Sequence, residues 1–306
     1  MSTGTRPVRI GNCSGFYGDR LSAMREMLEG GELAPPTVLR QQPVLGGYDP
    51  AQYVQVRLWA TAADGTRIPV SLVHHVDARP DGTAPGLLYG YGAYEVSTEP
   101  DFRTSRLSLL DRGVVFAIAH VRGGGEMGRH WYEAGRLAQK QNSFTDLNAA
   151  AHHLVDAGWV HPDRLAVEGG SAGGLLLGAA INLEPGLYRA AHLAVPFVDA
   201  LTSMLMPELP LTVVEWDEWG DPLHDPEVYD YMATYAPYEN VEAKDYPPIL
   251  AILIPLLLAL LSRGLFGLGL NHTAIWSEYA RWIVEFPLGY VVTLGTLWMQ
   301  PNLLAR

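Results

Sequence analysis

The chain holds one cysteine, Cys13, in 306 residues. A single thiol excludes an internal disulfide framework and any cysteine-clustered zinc site. It fits a reducing compartment. Charge is also sparse: 18% of residues are charged, with 21 basic against 33 acidic and a formal net charge of -12. The shortage of positive charge argues against nucleic acid as a main partner, because a phosphate backbone is bound by a basic face. The opening residues MSTGTRPVRIGN lack an apolar h-region, so no secretory signal is expected. By composition residues 1–250 are expected to be cytoplasmic. What the chain does have is apolar content, 48% of its residues. That excludes general disorder, and the length suffices for one or two domains with a buried core.

Charge is not spread evenly. After residue 250 the charged residues are Arg263, Glu278, Arg281, Glu285 and Arg306, which leaves residues 1–250 at -13 and residues 251–306 at +1. Ile249–Leu270 is apolar apart from Ser262 and Arg263. Its length is close to the ~20 residues of a membrane-spanning helix. A second apolar stretch, Trp282–Met299, is interrupted by Glu285 and Pro287. The two fit a helical hairpin, with Trp276, Tyr279, Trp282 and Trp298 near its ends as interfacial aromatics. Membrane association through residues 249–299 is therefore one expectation; burial in a soluble core is the other, supported by Arg263 and Pro255. Near the other end, residues 21–30 have a helical apolar face formed by Leu21, Met24, Met27 and Leu28, followed by a Pro35-Pro36 linker. Three segments result: 1–36, 37–250 and 251–306.

Strands and helices alternate in the middle segment. Val54–Thr61 and Ile68–His75 flank Asp64-Gly65, a hairpin signal. Gly86–Gly90, Gly113–His120, Leu165–Glu168, Ala191–Pro196 and Tyr246–Leu253 read as further strands. Ser143–Ala157 and Leu175–Ile181 read as helices. This alternation predicts an α/β fold with a mainly parallel sheet and helices on both faces.

Between a predicted strand and a predicted helix lies Gly169-Gly-Ser-Ala-Gly-Gly174, a Gly-x-Ser-x-Gly turn in the setting that makes it a nucleophile elbow. The turn is tight enough to require almost no side chain two residues before and after the serine, and Gly169 and Gly173 meet that need. Ser171 would project from the end of the strand, and the Ala172 N–H would face the same point as an oxyanion donor.

Residues of about 37–250 resemble the catalytic domain of the prolyl oligopeptidase family of serine peptidases, of the oligopeptidase B type. The resemblance rests on Leu88-Tyr-Gly-Tyr-Gly92, Arg122-Gly-Gly-Gly-Glu126, Gln141-Asn-Ser-Phe-Thr-Asp146, the elbow, Val195-Pro-Phe-Val-Asp199, Glu218-Trp-Gly-Asp-Pro222, Tyr229-Asp-Tyr-Met232 and Tyr235-Ala-Pro-Tyr-Glu-Asn240. It implies an α/β-hydrolase domain cleaving short peptides after Arg or Lys through an acyl-enzyme at Ser171. It further implies that Tyr91 joins the Ala172 N–H in the oxyanion hole, and that Glu215 and Asp217 bind the basic side chain. Two carboxylates in a partly buried pocket suit a guanidinium or ammonium.

A serine nucleophile needs a base and an orienting acid, which follow it in this fold as Asp then His. The resemblance ends near Ala251. The expected Asp position falls at about Leu257, no Gly-His-Gly occurs, and the family's N-terminal β-propeller has no counterpart. The domain is thus read as C-terminally incomplete, truncated or recombined, with an apolar helical tail in place of its last elements, and as inactive or nearly so. His272, with Glu278 or Glu285, is the surrogate base of an alternative reading as an esterase-like serine hydrolase. A third reading is a membrane-anchored, non-catalytic binding domain. Residues of about 8–35 resemble the start of acyclic terpene utilisation (AtuA-like) proteins; Cys13 there is read as incidental. Arg122-Gly-Gly-Gly-Glu126 lacks the Gly-Lys-Ser/Thr ending of a phosphate loop and is read as close packing beneath the site. The pairs His74-His75 and His152-His153 point to opposite strand faces or diverge by ~100° on a helix, so neither chelates alone. No metal or cofactor is expected.

Overall fold

The computed structural model describes residues 9–10, 40–41 and 49–252. The expected helix at 21–30, Cys13, the AtuA-like stretch apart from its two strand residues, and everything after Ile252, including His272, Glu278 and Glu285, lie outside the described residues. Contacts divide the chain into Met1–Gln52 and Tyr53–Arg306. In the first unit Arg9–Ile10 pairs in parallel with Arg40–Gln41.

The second unit is built on seven strands in the order Tyr53–Thr61, Arg67–His75, Val115–Ala119, Gly86–Tyr89, Leu165–Gly170, Ala190–Ala194 and Ile249–Ile252. The first two form the expected hairpin. Its turn is closed by Thr66 N–H donating to Asp64 Oδ1 at 2.9 Å, and Gly65 takes φ +85°, which a residue without Cβ accepts freely. Arg67–His75 also runs antiparallel to Val115–Ala119, and the remaining pairings are parallel. The sheet is thus mixed at one edge and parallel across its centre.

The helix Gln141–Asp156 buries Phe144, Leu147, Ala150, Ala151 and Leu154, a face set by its 3.6-residue period. Ala172–Leu183 is apolar nearly all round and buried, with Leu175, Leu176 and Leu177 among the most enclosed side chains of the core. Both pack into the main core with the central strands. A smaller cluster of Leu110, Phe116 and Ile118 occupies the other face, under the helix Thr104–Leu110.

The apolar run that begins at Ile249 starts as a strand, not a helix: Ile249–Ile252 pairs with Ala191–Ala194. A helical hairpin starting at Ile249 is corrected to that extent, because the strand edge of Ala190–Ala194 takes up these backbone groups. Among the described residues no helix is long and apolar enough to cross a membrane.

One buried ion pair ties two of the sequence motifs together. The Arg122 guanidinium donates twice to Asp146, from Nε at 2.9 Å and Nη2 at 2.6 Å, and its backbone N–H adds a third bond at 3.0 Å. Nη1 reaches Asp64 at 2.6 Å, in the hairpin turn. Burial pushes the Asp146 carboxyl up against the pull of Arg122. Asp64 is held down at about 2, chiefly by the Thr66 N–H and then by Arg122. Asp146 is fully enclosed. Removing Arg122 alone strands this carboxylate, a loss of about 3–5 kcal/mol. Arg122→Met should therefore lower the urea midpoint sharply, and Arg122→Met/Asp146→Leu should recover much of the loss; strict additivity of the two single variants would count against the pair.

Candidate active site

Ser171 sits where Leu165–Gly170 ends and Ala172–Leu183 begins. Its φ of +55° with ψ of -119° is a strained backbone for a residue with a Cβ. Backbone bonds hold it there. Ser171 N–H donates to Ala194 O at 2.9 Å, and its carbonyl accepts from Gly174 N–H at 2.8 Å and Phe197 N–H at 3.0 Å. The turn needs its glycines. A Cβ on Gly169 would stand 2.7 Å from Gly173 O, one on Gly173 would stand 2.7 Å from Gly90 O, and one on Gly174 would meet Pro196 at 2.3 Å. The Ser171 side chain is left exposed. Ala172 opens the helix, so its N–H belongs to the first-turn amides that lack an intrahelical acceptor. The positive end of the helix dipole lies at the same point.

Tyr91 follows the neighbouring strand Gly86–Tyr89 and lies against Gly173, with a Gly173 Cβ position 3.5 Å from its ring. The Tyr91 phenol thus lies beside the helix start that carries Ser171, near enough for Ser171 to act on its titration. Burial, then Tyr89, Glu218 and Glu215, push the Tyr91 phenol up, and Ser171 pulls the other way. A phenol kept protonated is what an oxyanion donor requires.

The segment Thr212–Trp219, which reads in sequence as a run of charges and aromatics, is a helix. Residues two apart on a helix diverge by ~200°. Glu215 accordingly faces inward: it accepts from Trp219 Nε1 at 2.9 Å and lies near enough to Tyr94 to act on its phenol. Asp217 is exposed, and its backbone carbonyl accepts from Arg136 at 2.8 Å. The structure thus brings Ser171, Tyr91, Ala172 and Glu215 to one locality and turns the Asp217 side chain outward. Burial and the neighbouring Glu215 push the Tyr94 phenol far up.

Two buried charges beneath this locality escaped the sequence reading. Lys140 is 1% exposed and donates to Gly92 O at 2.6 Å and Gly135 O at 3.1 Å. Glu218 is 3% exposed and accepts from Tyr94 N–H at 3.1 Å and the Tyr132 hydroxyl at 2.6 Å. Lys140 directly precedes one quoted motif and Glu218 opens another, yet burial of a charge has no signature in sequence. The glycines of Arg122-Gly-Gly-Gly-Glu126 pack as expected: a Cβ on Gly123 would stand 2.2 Å from Gly92 O. Among the described residues no histidine is hydrogen-bonded to Ser171; His120 bonds Ser71, and His152 and His224 bond Glu184 and Asp221. No group of three or more metal-ligating side chains is found among them either.

A serine held on a strained strand-to-helix turn, above a parallel sheet and beside a second donor, defines an α/β-hydrolase elbow of the serine hydrolase class. The profile of the prolyl oligopeptidase family matches residues 100–253, about half of the chain. The chain belongs to that family. It is 51% identical over 209 residues to a protein named Protease 2 from Moraxella lacunata, covering 68% of this chain and 30% of that one. It is 53% identical over 210 residues to Dipeptidyl aminopeptidase BI from Pseudoxanthomonas mexicana, covering 68% and 29%. Oligopeptidase B from Leishmania major superposes with a TM-score of 0.66 at 49% identity, over 67% of this chain and 29% of that chain. This chain therefore spans under a third of the length of the relatives it matches.

Two outcomes follow from the packing at the elbow. Gly173→Ala drives a methyl into the Gly90 carbonyl and should cost about 1–3 kcal/mol, the usual range for overpacking, read as a lowered urea midpoint. Burial pushes the Lys140 ammonium down to about 8, with Glu218 acting against it. Above that pH the native protein has shed a proton that the unfolded chain keeps until about 10.4. The unfolded state then binds more protons, so stability should rise between pH 8 and 10, by up to about 1.4 kcal/mol per pH unit. The slope should vanish in Lys140→Met; an unchanged slope would disprove the assignment.

Proposed function

We propose that residues 37–250 form an oligopeptidase B-type site that binds short peptides through a P1 Arg or Lys. Ser171 is the nucleophile position, Tyr91 and the Ala172 N–H are the oxyanion donors, and Glu215 is the acceptor for the basic side chain. The observation that carries this reading is Ser171 exposed on a strained elbow with Tyr91 packed against Gly173 beside it, and Glu215 bonded to Trp219, whose ring meets Tyr94 of the same loop. A carboxylate among Tyr94, Trp219 and Tyr91 favours a planar guanidinium, which offers paired donors and stacks on aromatic faces. Asp217 contributes at most at longer range, given its outward direction.

On this reading the chemistry stops at binding, or close to it. Acyl transfer needs a base to take the Ser171 proton, and an oxyanion hole with binding alone leaves only a residual acceleration of about 10³ to 10⁴ over water. The cytoplasm is the proposed compartment, in keeping with the single thiol and the acidic composition.

Binding and reaction are tested separately. Benzamidine, an aryl amidinium, should bind the full chain and lose at least about tenfold in affinity in Glu215→Gln, the loss of a charge-assisted hydrogen bond. Asp217→Asn should bind nearly as the parent does. Equal affinity in parent and Glu215→Gln would remove the Arg/Lys reading. A fluorophosphonate probe should label Ser171 no faster than a few times the Ser171→Ala background. Rapid labelling that depends on Ser171 would overturn the inactivity and make His272→Ala the next variant.

A further inference from the structure

The loop that carries Tyr91 leaves its strand through four residues, Tyr91-Gly92-Ala93-Tyr94, and its backbone is unusual. Gly92, Tyr94 and Glu95 have φ of +65°, +57° and +56°. Two of these are side-chain-bearing residues in a region that L residues avoid, so this conformation persists only where its surroundings over-determine it. The surroundings are two enclosed charges. Lys140 Nζ takes the Gly92 carbonyl, directly after Tyr91, and also the Gly135 carbonyl. The Glu218 carboxylate takes the Tyr94 N–H and the Tyr132 hydroxyl. Neither charge is hydrogen-bonded to the other. Each has given up water and spends its hydrogen bonds largely on backbone, an arrangement that a purely apolar filling of the same space would make unnecessary. The ammonium also lies 5.0 Å from the centre of the Trp219 ring, whose Nε1 donates to Glu215.

We propose that Lys140 and Glu218 are positioning residues: they clamp the loop on both sides of Ala93 so that the Tyr91 hydroxyl is held at Ser171, and they join that loop to the helix carrying Glu215. The proposal rests on the reading of Tyr91 as an oxyanion donor and extends it to the parts that aim it. Neither residue touches the reacting atoms. The Lys140 bond stops the Gly92 peptide from rotating, and the Glu218 bond stops the Tyr94 peptide from doing so. Without them the left-handed stretch relaxes, and the Tyr91 side chain leaves Ser171. Because Glu218 and Glu215 share one helix, and Glu218 holds the Tyr94 N–H, the cation acceptor and the oxyanion donor move as one body.

The test reads the Tyr91–Ser171 contact directly and needs no turnover. The full chain is made with 3-fluorotyrosine at position 91, and its fluorine resonance is compared before and after Ser171→Ala. In the parent background the serine change should shift the resonance, because it removes a hydroxyl that lies beside the phenol and acts on its titration. In Lys140→Met the resonance should already be displaced, and Ser171→Ala should no longer move it. Glu218→Gln, which keeps the shape and removes the charge, should weaken the response in the same direction. A general loss of stability leaves the response intact in whatever fraction is folded, so the coupling separates positioning from a structural role.

The same response to Ser171→Ala in all backgrounds would overturn the proposal. So would failure of both variants to unfold cooperatively, which would make the pair a folding requirement instead. If Lys140→Met alone fails to fold, Glu218→Gln decides. Failure of the peptide-binding reading is seen elsewhere, in benzamidine binding, and leaves this readout unaffected. A parent resonance indifferent to Ser171→Ala would remove the oxyanion assignment and the clamp together.

Discussion

Three stretches of backbone meet at Ser171 at distances that admit no side chain, and the site depends on that approach. The Gly90 carbonyl closes on Gly173, the Gly173 carbonyl on Gly169, and Pro196 on Gly174. This contact brings the ends of Gly86–Tyr89, Leu165–Gly170 and Ala190–Ala194 level with one another, as parallel pairing in register requires. It also holds Ser171 at positive φ, with its side chain exposed at the turn and Tyr91 packed beside it against Gly173. A single Cβ in any of the three glycines would separate the serine from the tyrosine before it altered any side-chain chemistry.

The rest of the domain reads as support for that approach, and much of the support is polar. Arg122 and Asp146 fix the glycine-rich loop to the helix Gln141–Asp156, and the Ser143 hydroxyl donates to the Arg122 carbonyl at 2.6 Å. One turn earlier on the same helix side, Lys140 holds Gly92 and Gly135. Burying these charges is costly, and each is tolerated because hydrogen-bonding partners surround it. Such a network specifies one loop geometry where apolar packing would allow several.

Much of the fold was legible in the order of the motifs. The Asp64-Gly65 hairpin, the helix with Leu147, Ala150, Ala151 and Leu154 inward, and the elbow all lie where period and turn chemistry put them, within a residue or two at most ends. The helices Thr104–Leu110, Arg129–Glu133, Ala200–Met204, Thr212–Trp219 and Pro226–Ala233 were not legible. They are short, and tertiary contacts rather than propensity stabilise them. The consequence is sharpest at Glu215 and Asp217, an equivalent pair in sequence that a helix turns to opposite sides. The end of the sheet was legible in part: Tyr246–Leu253 reads as a strand, although the same apolar run also suits a helix. The main sheet starts at Tyr53, and Ile249–Ile252 is its last strand, because pairing with Ala191–Ala194 outweighs a composition that also suits a helix.

By itself the sequence determined the class of the fold and the place of the strand-to-helix serine turn. A Gly-x-Ser-x-Gly turn between a strand and a helix places its serine at positive φ and needs glycines on either side, and those glycines are visible in any linear reading. Only the tertiary structure decided which carboxylate faces inward and which charges lie enclosed beneath the elbow. The reason is physical. Local geometry depends on neighbours in the chain, whereas burial and direction at Lys140, Glu215 and Glu218 depend on segments tens of residues away, which become neighbours only once the sheet has formed.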